Sequence, residues 1–417
     1  MKVELRIDQA VILCGGLGTR LRPLTNELPK PMVDVNGRPF LHHLLEQLSN
    51  QGINRFLLLT GYLNEKISNY FGDGSQYGWV IKYSVGPIDW ETGRRVWEAC
   101  NYIDSNFLLM YSDNYVAFNL PKLMKLHAEN AAVISLLLAP KSTGNIKSSE
   151  DGIIKAYDNL RVGNGFDYVE VGYMIVNKDR MLKCFSSLSG FPDLSFSKVL
   201  EYLAKQQCIS GLVVRDPYHS ISDPNRLKLT SDFLRPKKII LIDRDGTLNQ
   251  KAKSGEYITN WNSFAWIPET REAMKILTER GFKFIIITNQ AGIARGLIDP
   301  IELHKIHHNM IGDLANSGIE VLKVYVCPDH WEDNSFMRKP SPGMFFQAAK
   351  DFNLRLDRCL YVGDDERDCI AAVNAGCGMI YLGGEELQSK LVEVPSPFRC
   401  SNNLMESLNF IIEAYSN

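Results

Sequence analysis

Three absences narrow what this chain of 417 residues can do. It has no excess of one charge: 46 lysines and arginines stand against 48 aspartates and glutamates, a formal net charge of -2, so no broad field draws in nucleic acid or an anionic membrane. No uninterrupted apolar run reaches the roughly 20 residues that cross a bilayer. The opening Met1-Lys2-Val3-Glu4-Leu5-Arg6 interleaves acids and bases without the apolar core of a signal peptide. The nine cysteines follow no framework spacing, which fits reduced thiols in a reducing compartment. Internal repeats and low-complexity segments are also missing. We therefore expect a cytoplasmic protein without disulfides and without a nucleic-acid or membrane partner, whose small anionic ligands are held by local features.

What is present is ordinary globular material, 45% hydrophobic and 23% charged, and the length suits two domains with their own cores. Apolar runs at Ala10-Val11-Ile12-Leu13, Phe56-Leu57-Leu58-Leu59 and Phe107-Leu108-Leu109-Met110 have the length of buried strands. Between them, Leu41, Leu44, Leu45 and Leu48 fall at the i, i+3, i+4, i+7 spacing of one helical stripe. This alternation predicts a mostly parallel α/β sheet. The rhythm restarts after Pro236, with strand candidates at 238–242, 282–287, 321–326, 360–362 and 379–382, a helix marked by Ala273, Ile276, Leu277 and Arg280, and a packing helix over 404–415. We place a boundary near residue 235, giving domains 1–235 and 236–417.

The first strand runs into Cys14-Gly15-Gly16-Leu17-Gly18-Thr19-Arg20, where glycines let backbone N–H groups turn toward a polyphosphate. Arg20, Arg22 and Lys30 of Pro29-Lys30-Pro31 add fixed cations for phosphate oxygens. The run from Gly15 to Thr25 followed by Pro-Lys-Pro resembles the sugar-1-phosphate nucleotidylyltransferase family, and the similarity extends to about residue 230. It implies a GT-A-like mixed sheet in a Rossmann-like α/β domain. It further implies that Gly15, Gly16, Gly18, Thr19, Arg20 and Lys30 hold a nucleoside triphosphate, with Arg20 and Lys30 assisting catalysis, and that Asp113 binds Mg2+.

Three segments depart from that pattern. Where the family has a second metal aspartate, this chain has Ser220, with Asp223 three residues on as either its substitute or the cap of the following helix. The base-reading segment, with Thr92 and Gly93 as nucleotide ligands, reads Glu91-Thr92-Gly93-Arg94-Arg95, nearer the Thr-Gly-Gly-Arg of cytidylyltransferases than the Gly-Thr-Gly-Gly-Ala of most relatives. The sugar-binding strand is matched by Val169-Glu170-Val171-Gly172-Tyr173, with Glu170 as hydroxyl acceptor.

In the second domain, Asp243 and Asp245 stand two apart at the end of an apolar strand, a spacing that turns both carboxylates to one side of an extended chain. A carboxylate attacks a phosphate ester only where charge is screened. Thr288-Asn289-Gln290, Arg338-Lys339-Pro340 and Gly363-Asp364-Asp365 follow later strands. These four ordered motifs resemble the haloacid-dehalogenase phosphatase superfamily over about residues 237 to 385, in the branch that contains histidinol phosphatase and heptose-1,7-bisphosphate phosphatase. The resemblance implies a parallel sheet, Asp243 as nucleophile, Asp245 as acid/base, Thr288 and Lys339 as phosphate ligands, and Mg2+ on Asp243, Asp245 and Asp364. Asp365 or Asp368 either supports the metal or belongs to a solvated turn. Asn289, Arg295 and Arg338 would bind substrate, the two arginines gripping the far end of a bisphosphate. Members of that branch carry a zinc loop; here only Cys327 and His330 remain of it, and no zinc is expected.

Together the resemblances imply a bifunctional enzyme of nucleotide-activated heptose synthesis. It would remove the C7 phosphate of heptose 1,7-bisphosphate and then transfer a nucleotidyl group, GMP from GTP favoured, to heptose 1-phosphate. The alternatives are a cytidylyltransferase/phosphatase for another phosphorylated sugar or polyol, and a first domain that binds nucleotide without catalysis. The expected partners are nucleoside triphosphate and sugar phosphates; homo-oligomerisation is left open.

Overall fold

The computed structural model describes residues 5–158, 160, 163, 165–188, 193–214, 218–253, 255–383 and 398–415. Met1 to Glu4 of the opening segment lie outside these. The chain divides into two compact units, Met1–Leu234 and Arg235–Asn417.

The sheet of the first unit has nine strands: Gln9–Leu13 (β1), Arg55–Thr60 (β2), Val80–Val85 (β3), Asn106–Tyr111 (β4), Ile134–Pro140 (β5), Ile146–Ser148 (β6), Ile154–Tyr157 (β7), Tyr168–Asn177 (β8) and Ile209–Val213 (β9). Its order is β7-β6-β8-β4-β1-β2-β3, with β5 beside β8 and β9 beside β5. β1 pairs in parallel with β2 and β4, whereas β8 runs antiparallel to both β4 and β5. The sheet is thus mixed, as the nucleotidyltransferase resemblance implies, and less parallel than the strand–helix rhythm suggests: β8 enters from a loop rather than from a crossover helix.

The alternation of β1 explains its burial. Ala10 and Ile12 face one core, Val11 and Leu13 the other, so all four are apolar. The helix Phe40–Ser49 buries the four leucines of the predicted stripe, and also Phe40, His42, His43 and Gln47.

In the second unit the sheet contains Ile239–Ile242 (β10), Lys283–Asn289 (β11), Val321–Cys327 (β12), Leu360–Gly363 (β13), Gly378–Tyr381 (β14) and Phe398–Cys400 (β15), ordered β12-β11-β10-β13-β14-β15 and parallel throughout. Ile239 and Leu241 join one core while Ile240 and Ile242 join the opposite one. The helix Pro268–Glu279 buries Thr270, Ala273, Met274 and Leu277. Its stripe is therefore set one residue off Ile276, and Arg280 stands just past the end as the C-cap. The expected tail helix is a 3-10 turn, Met405–Ser407, followed by a short helix, Leu408–Ala414. Tyr415 ties it to the sheet, its hydroxyl donating to the Ile239 carbonyl at 2.5 Å and accepting from Leu360 N at 3.0 Å. No helix among the described residues is long and apolar enough to cross a membrane.

Candidate active sites

In parallel strands the loops after adjacent carboxyl ends converge, and that is where ligands bind in open α/β sheets. In the first unit β1, β2 and β4 end together: Leu13 pairs with Leu59 and Tyr111, so the glycine loop after β1 meets Ser112 and Asp113 after β4. Ser112 Oγ locks the junction by donating to the Leu13 carbonyl at 2.6 Å.

The resulting cavity of about 420 Å3 is lined by Gly15, Gly16, Gly18, Thr19, Arg20, Lys30, Thr92 and Asp113, with a wall at 88–92. Gly18 adopts a left-handed φ of 61°, and Thr25 Oγ1 donates to its carbonyl at 2.9 Å. Lys30 Nζ lies 2.6 Å from Asp113 Oδ2. The cation that resemblance assigns to phosphate and the carboxylate it assigns to metal thus form an ion pair.

Gly93 is not among the cavity's lining residues: its N–H donates to the Leu194 carbonyl at 2.9 Å, and neighbouring Thr92 Oγ1 accepts from Phe196 N at 2.8 Å. A Cβ at Gly93 would stand 2.5 Å from the Leu194 carbonyl oxygen, so the glycine is needed for helix packing.

A second cavity, about 280 Å3, is lined by Arg20, Asp113, Lys141, Glu170, Ser220 and Asp223 among others. Glu170 Oε1 accepts from Tyr157 Oη at 3.1 Å. Asp223 borders this space, but its Oδ1 accepts from Arg226 N at 3.0 Å, the N-cap bond of helix Pro224–Leu234. That bond holds its carboxyl below the ordinary range. Ser220 has Arg226 Nη1 3.2 Å from its Oγ, a cation where the family pattern has a metal carboxylate.

In the second unit the central β10 lies between β11 and β13. Asp243 follows β10 and donates its N–H to Val362 O at 2.8 Å, which sets it beside Asp364 after β13; Thr288 stands at the end of β11. Lys339 Nζ, 4% exposed, lies 2.7 Å from Asp243 Oδ1 and 2.8 Å from Asp368 Oδ1, and donates to Tyr361 Oη at 2.7 Å and Ile287 O at 3.0 Å. Burial, offset partly by Lys339 and reinforced by Asp368 and Asp245, pushes the Asp243 carboxyl up to about 7. Asp243, Arg244, Asp245, Thr288, Asn289, Arg295, Arg338 and Lys339 line a cavity of about 570 Å3.

The carboxylates gathered there differ from the predicted trio. Asp243, Asp364 and Asp368 present oxygens within 4.8 Å of one another. Asp245 is not in that group: Arg244 Nη2 donates to both its oxygens at 2.8 and 2.7 Å, Asn249 Nδ2 to Oδ1 at 3.0 Å and Gln290 Nε2 to Oδ2 at 2.7 Å. These donors hold Asp245 below its ordinary pKa against the opposing effect of burial.

Asp368, one of two readings left open, is buried in the cluster, while Asp365 caps helix Glu366–Ala375. A Cβ at Gly246 would stand 2.2 Å from Asp364 Oδ2, so the glycine of Asp-Gly-Thr leaves room for that carboxylate. Three crowded acids, Asp243 and Asp368 buried and Asp364 half-buried, with Lys339 on the first two and Lys251 Nζ 2.8 Å from Asp364 Oδ2, suit a small, hard, oxygen-seeking cation such as Mg2+. In the first unit Asp113 supplies one carboxylate, which fits the habit of that ion of completing its shell with substrate phosphates.

Asn289 clamps the backbone of Lys339, Nδ2 to its carbonyl at 3.0 Å and Oδ1 from its N–H at 3.1 Å, so its amide orients the lysine. Arg295 lies by two rings, 5.7 Å from the centroid of Tyr257 and 5.4 Å from that of Trp331. Arg338 Nη1 donates to Asp329 O at 3.1 Å. Cys327 Sγ rests 3.5 Å from Asp329 Oδ2, and His330 caps the turn Trp331–Asp333.

Sequence reasoning missed Arg244, Tyr361 and Arg95. It weighed Asp368, for which the Asp365-x-x-Asp368 spacing of a capping box was the available signal.

The nucleotidyl transferase family model matches residues 9–164, and that of polynucleotide kinase 3 phosphatase matches residues 238–374. A probable glucose-1-phosphate cytidylyltransferase of Bacillus subtilis is 31% identical over 40% of this chain and 74% of its own length. A D-glycero-alpha-D-manno-heptose 1-phosphate guanylyltransferase of Campylobacter jejuni is 27% identical over 52% of this chain and 95% of its own. A D-glycero-beta-D-manno-heptose-1,7-bisphosphate 7-phosphatase of Bordetella bronchiseptica is 36% identical over 34% of this chain and 77% of its own. In fold alone, the solved structure of a glucose-1-phosphate thymidylyltransferase assignment from Bacillus anthracis covers 54% of this chain and 95% of itself, at 14% identity and a TM-score of 0.50. The chain therefore belongs to the nucleotidyl transferase family in its first unit and to the polynucleotide kinase 3 phosphatase family in its second, an enzyme with one domain of each kind.

Proposed function

We propose that the two centres act in succession on one sugar, first stripping a phosphate from heptose 1,7-bisphosphate at C7 and then joining a nucleotide to the heptose 1-phosphate left behind. The observation that carries this reading is that one chain holds both a glycine-loop cavity with Arg20 and Lys30 and a buried carboxylate–lysine centre at a second sheet edge. The heptose phosphatase and heptose guanylyltransferase relatives support the sugar.

At the rear centre, an Asp243 oxygen forms a bond to phosphorus as the phosphorus–sugar oxygen bond breaks, and the leaving oxygen takes a proton through Asp245, which draws it from solvent because Arg244, Asn249 and Gln290 hold the carboxyl ionised beforehand. Water then attacks the aspartyl-phosphate, its proton returning to Asp245, and inorganic phosphate leaves. Lys339 offsets the charge on Asp243, Thr288 binds phosphate, and Arg295 and Arg338 hold the anion that remains on the sugar. Asp243, Asp364 and Asp368 would hold Mg2+, which when bound screens the negative charge that meets the nucleophile.

At the front centre, an oxygen of the sugar 1-phosphate attacks the α-phosphorus of the triphosphate and the bond to the β-phosphate breaks, releasing pyrophosphate. Arg20 and Lys30 steady the phosphates, Glu170 accepts a sugar hydroxyl, and Asp113 would hold Mg2+.

The test is the purified chain with heptose 1,7-bisphosphate, Mg2+ and each triphosphate in turn. We expect phosphate released from C7, then pyrophosphate released fastest with GTP. Phosphate released from C1, or no pyrophosphate with any base, overturns the reading. The cytidylyltransferase relative favours CTP as the second reading, and direct GTP–CTP competition decides between them.

A further inference from the structure

The floor of the front cavity is a buried arginine. Arg95, 5% exposed, lines the cavity from helix Thr92–Glu98. Its guanidinium donates to three main-chain carbonyls: Nη1 to Thr60 at 2.8 Å and Gly86 at 3.4 Å, and Nη2 to Pro87 at 2.6 Å. Those carbonyls belong to the end of β2 and the turn leading into the 88–92 wall. The glycine loop rests directly on the same group, since a Cβ at Gly15 would stand 2.5 Å from Arg95 Cζ, and one at Gly61 2.9 Å from Nη2.

Among the described residues no carboxylate lies within ion-pair distance of Arg95; Asp89 acts on it only through space, and burial lowers its pKa. A desolvated cation whose hydrogen bonds go to carbonyls, with a carboxylate only at a distance, is costly to bury. The missing counter-charge is what a polyphosphate on the glycine loop brings.

The place of Arg95 in the sequence sharpens the point. It stands where the resemblance puts the arginine of Thr-Gly-Gly-Arg, a run aligned with base reading. Yet Thr92 Oγ1 and the Gly93 N–H are engaged by the 194–196 backbone, and Arg95 binds carbonyls. The neighbouring Arg94 lies 4.7 Å from the Trp90 ring centroid.

We propose that Arg95 is a positioning residue for the triphosphate. It locks the glycine loop to the 86–92 wall and sets a fixed positive charge beneath the phosphates, and the Thr92–Arg95 signature does not choose the base. This rests on the nucleotidyl-transfer reading of the front centre.

The test compares R95Q, which removes charge and fork, with R95K, which keeps the charge. R95Q should raise the triphosphate KM at least tenfold and leave the sugar-phosphate KM within twofold, while R95K recovers most of the loss. In both, the ratio of kcat/KM for GTP over CTP should stay within twofold of wild type. Equal damage in R95Q and R95K, a triphosphate KM unmoved within twofold, or a changed base ratio each overturns the proposal. Phosphate release by the second unit calibrates the amount of intact chain. Should R95Q fail to fold, R95K decides alone: a triphosphate KM within about threefold supports the proposal, and one raised tenfold overturns it. Calorimetric binding of pyrophosphate to wild type and R95K needs no turnover, so the charge beneath the loop is tested even if no base supports transfer: affinity held within threefold supports it, and a tenfold loss overturns it.

Discussion

The front cavity is lined by a buried arginine with no ion pair among the described residues, whereas at the rear the buried cations Lys339 and Arg244 are paired with aspartates, although each cavity is built at the carboxyl edge of parallel strands. In front, Arg95 lies under the glycine loop and donates to carbonyls, and of the two carboxylates named for metal Asp113 is already paired with Lys30 while Asp223 caps a helix. Behind, Asp243, Asp364 and Asp368 crowd together, the first and last on Lys339 and Asp364 on Lys251. The sheet edge is thus common scaffolding, and what differs is whether the buried cations beneath it are already answered by carboxylates. A buried cation awaits a polyphosphate, whereas buried carboxylates supply a nucleophile and call for a divalent ion.

Metal removal tests that contrast most severely. Chelation should abolish both phosphate and pyrophosphate release, and Mg2+ should restore both. Because the rear centre offers three carboxylates and the front one, phosphate release should reach half its maximum at lower Mg2+ than pyrophosphate release, read by titrating the ion at saturating substrates. Equal midpoints would remove the electrostatic distinction.

Next in size is D243N, nearly isosteric, which should cut phosphate release by about a thousandfold or more, as expected for loss of a covalent nucleophile. Pyrophosphate release from added heptose 1-phosphate should not change. Loss of both would show that the centres are not independent.

The parts of both sites that were legible in the sequence are those whose neighbours in space are neighbours along the chain. A glycine loop after an apolar strand, or aspartates two apart at a strand end, carry their geometry locally, and parallel register then brings Asp113 to the first and Thr288 and Asp364 to the second. What escaped depends on distant contacts. Arg95 matters because Gly15, Thr60 and Gly86 surround it from other loops. Asp368 read equally well as a solvated acid, and only packing against Lys339 and Tyr361 buries it. Asp245 was expected to point with Asp243 because alternate residues of a strand share a face. The chain leaves the strand at Ile242, however, and Arg244, itself held by His307 Nε2 at 2.9 Å, captures the carboxylate. The helix and sheet cores were legible from periodicity; the antiparallel entry of β8 was not, since strand direction is not written in apolar alternation.

A smaller effect is expected where the rear cluster is trimmed at its edge. Tyr361 Oη accepts from Lys339 at 2.7 Å and donates to Asp368 at 2.9 Å, inside a fully buried network. Y361F keeps the ring and removes only those bonds. A net hydrogen bond contributes about 0.5–1.5 kcal/mol, so phosphate release should fall by about threefold to tenfold in kcat with little change in KM. A shift confined to KM would place Tyr361 in substrate binding instead.

The smallest effect separates the two roles left to Asp223. As a helix cap its carboxyl oxygen accepts from Arg226 N, a bond that asparagine makes as well and alanine cannot. As a metal ligand its charge would be needed, and asparagine would fail. The cap therefore predicts D223N silent in both stability and pyrophosphate release, and D223A destabilising the first unit, measured by denaturant unfolding, with transfer retained. If D223N lowers pyrophosphate release tenfold and raises the Mg2+ needed for it, the front centre has a second carboxylate after all, and its contrast with the rear narrows to the buried arginine.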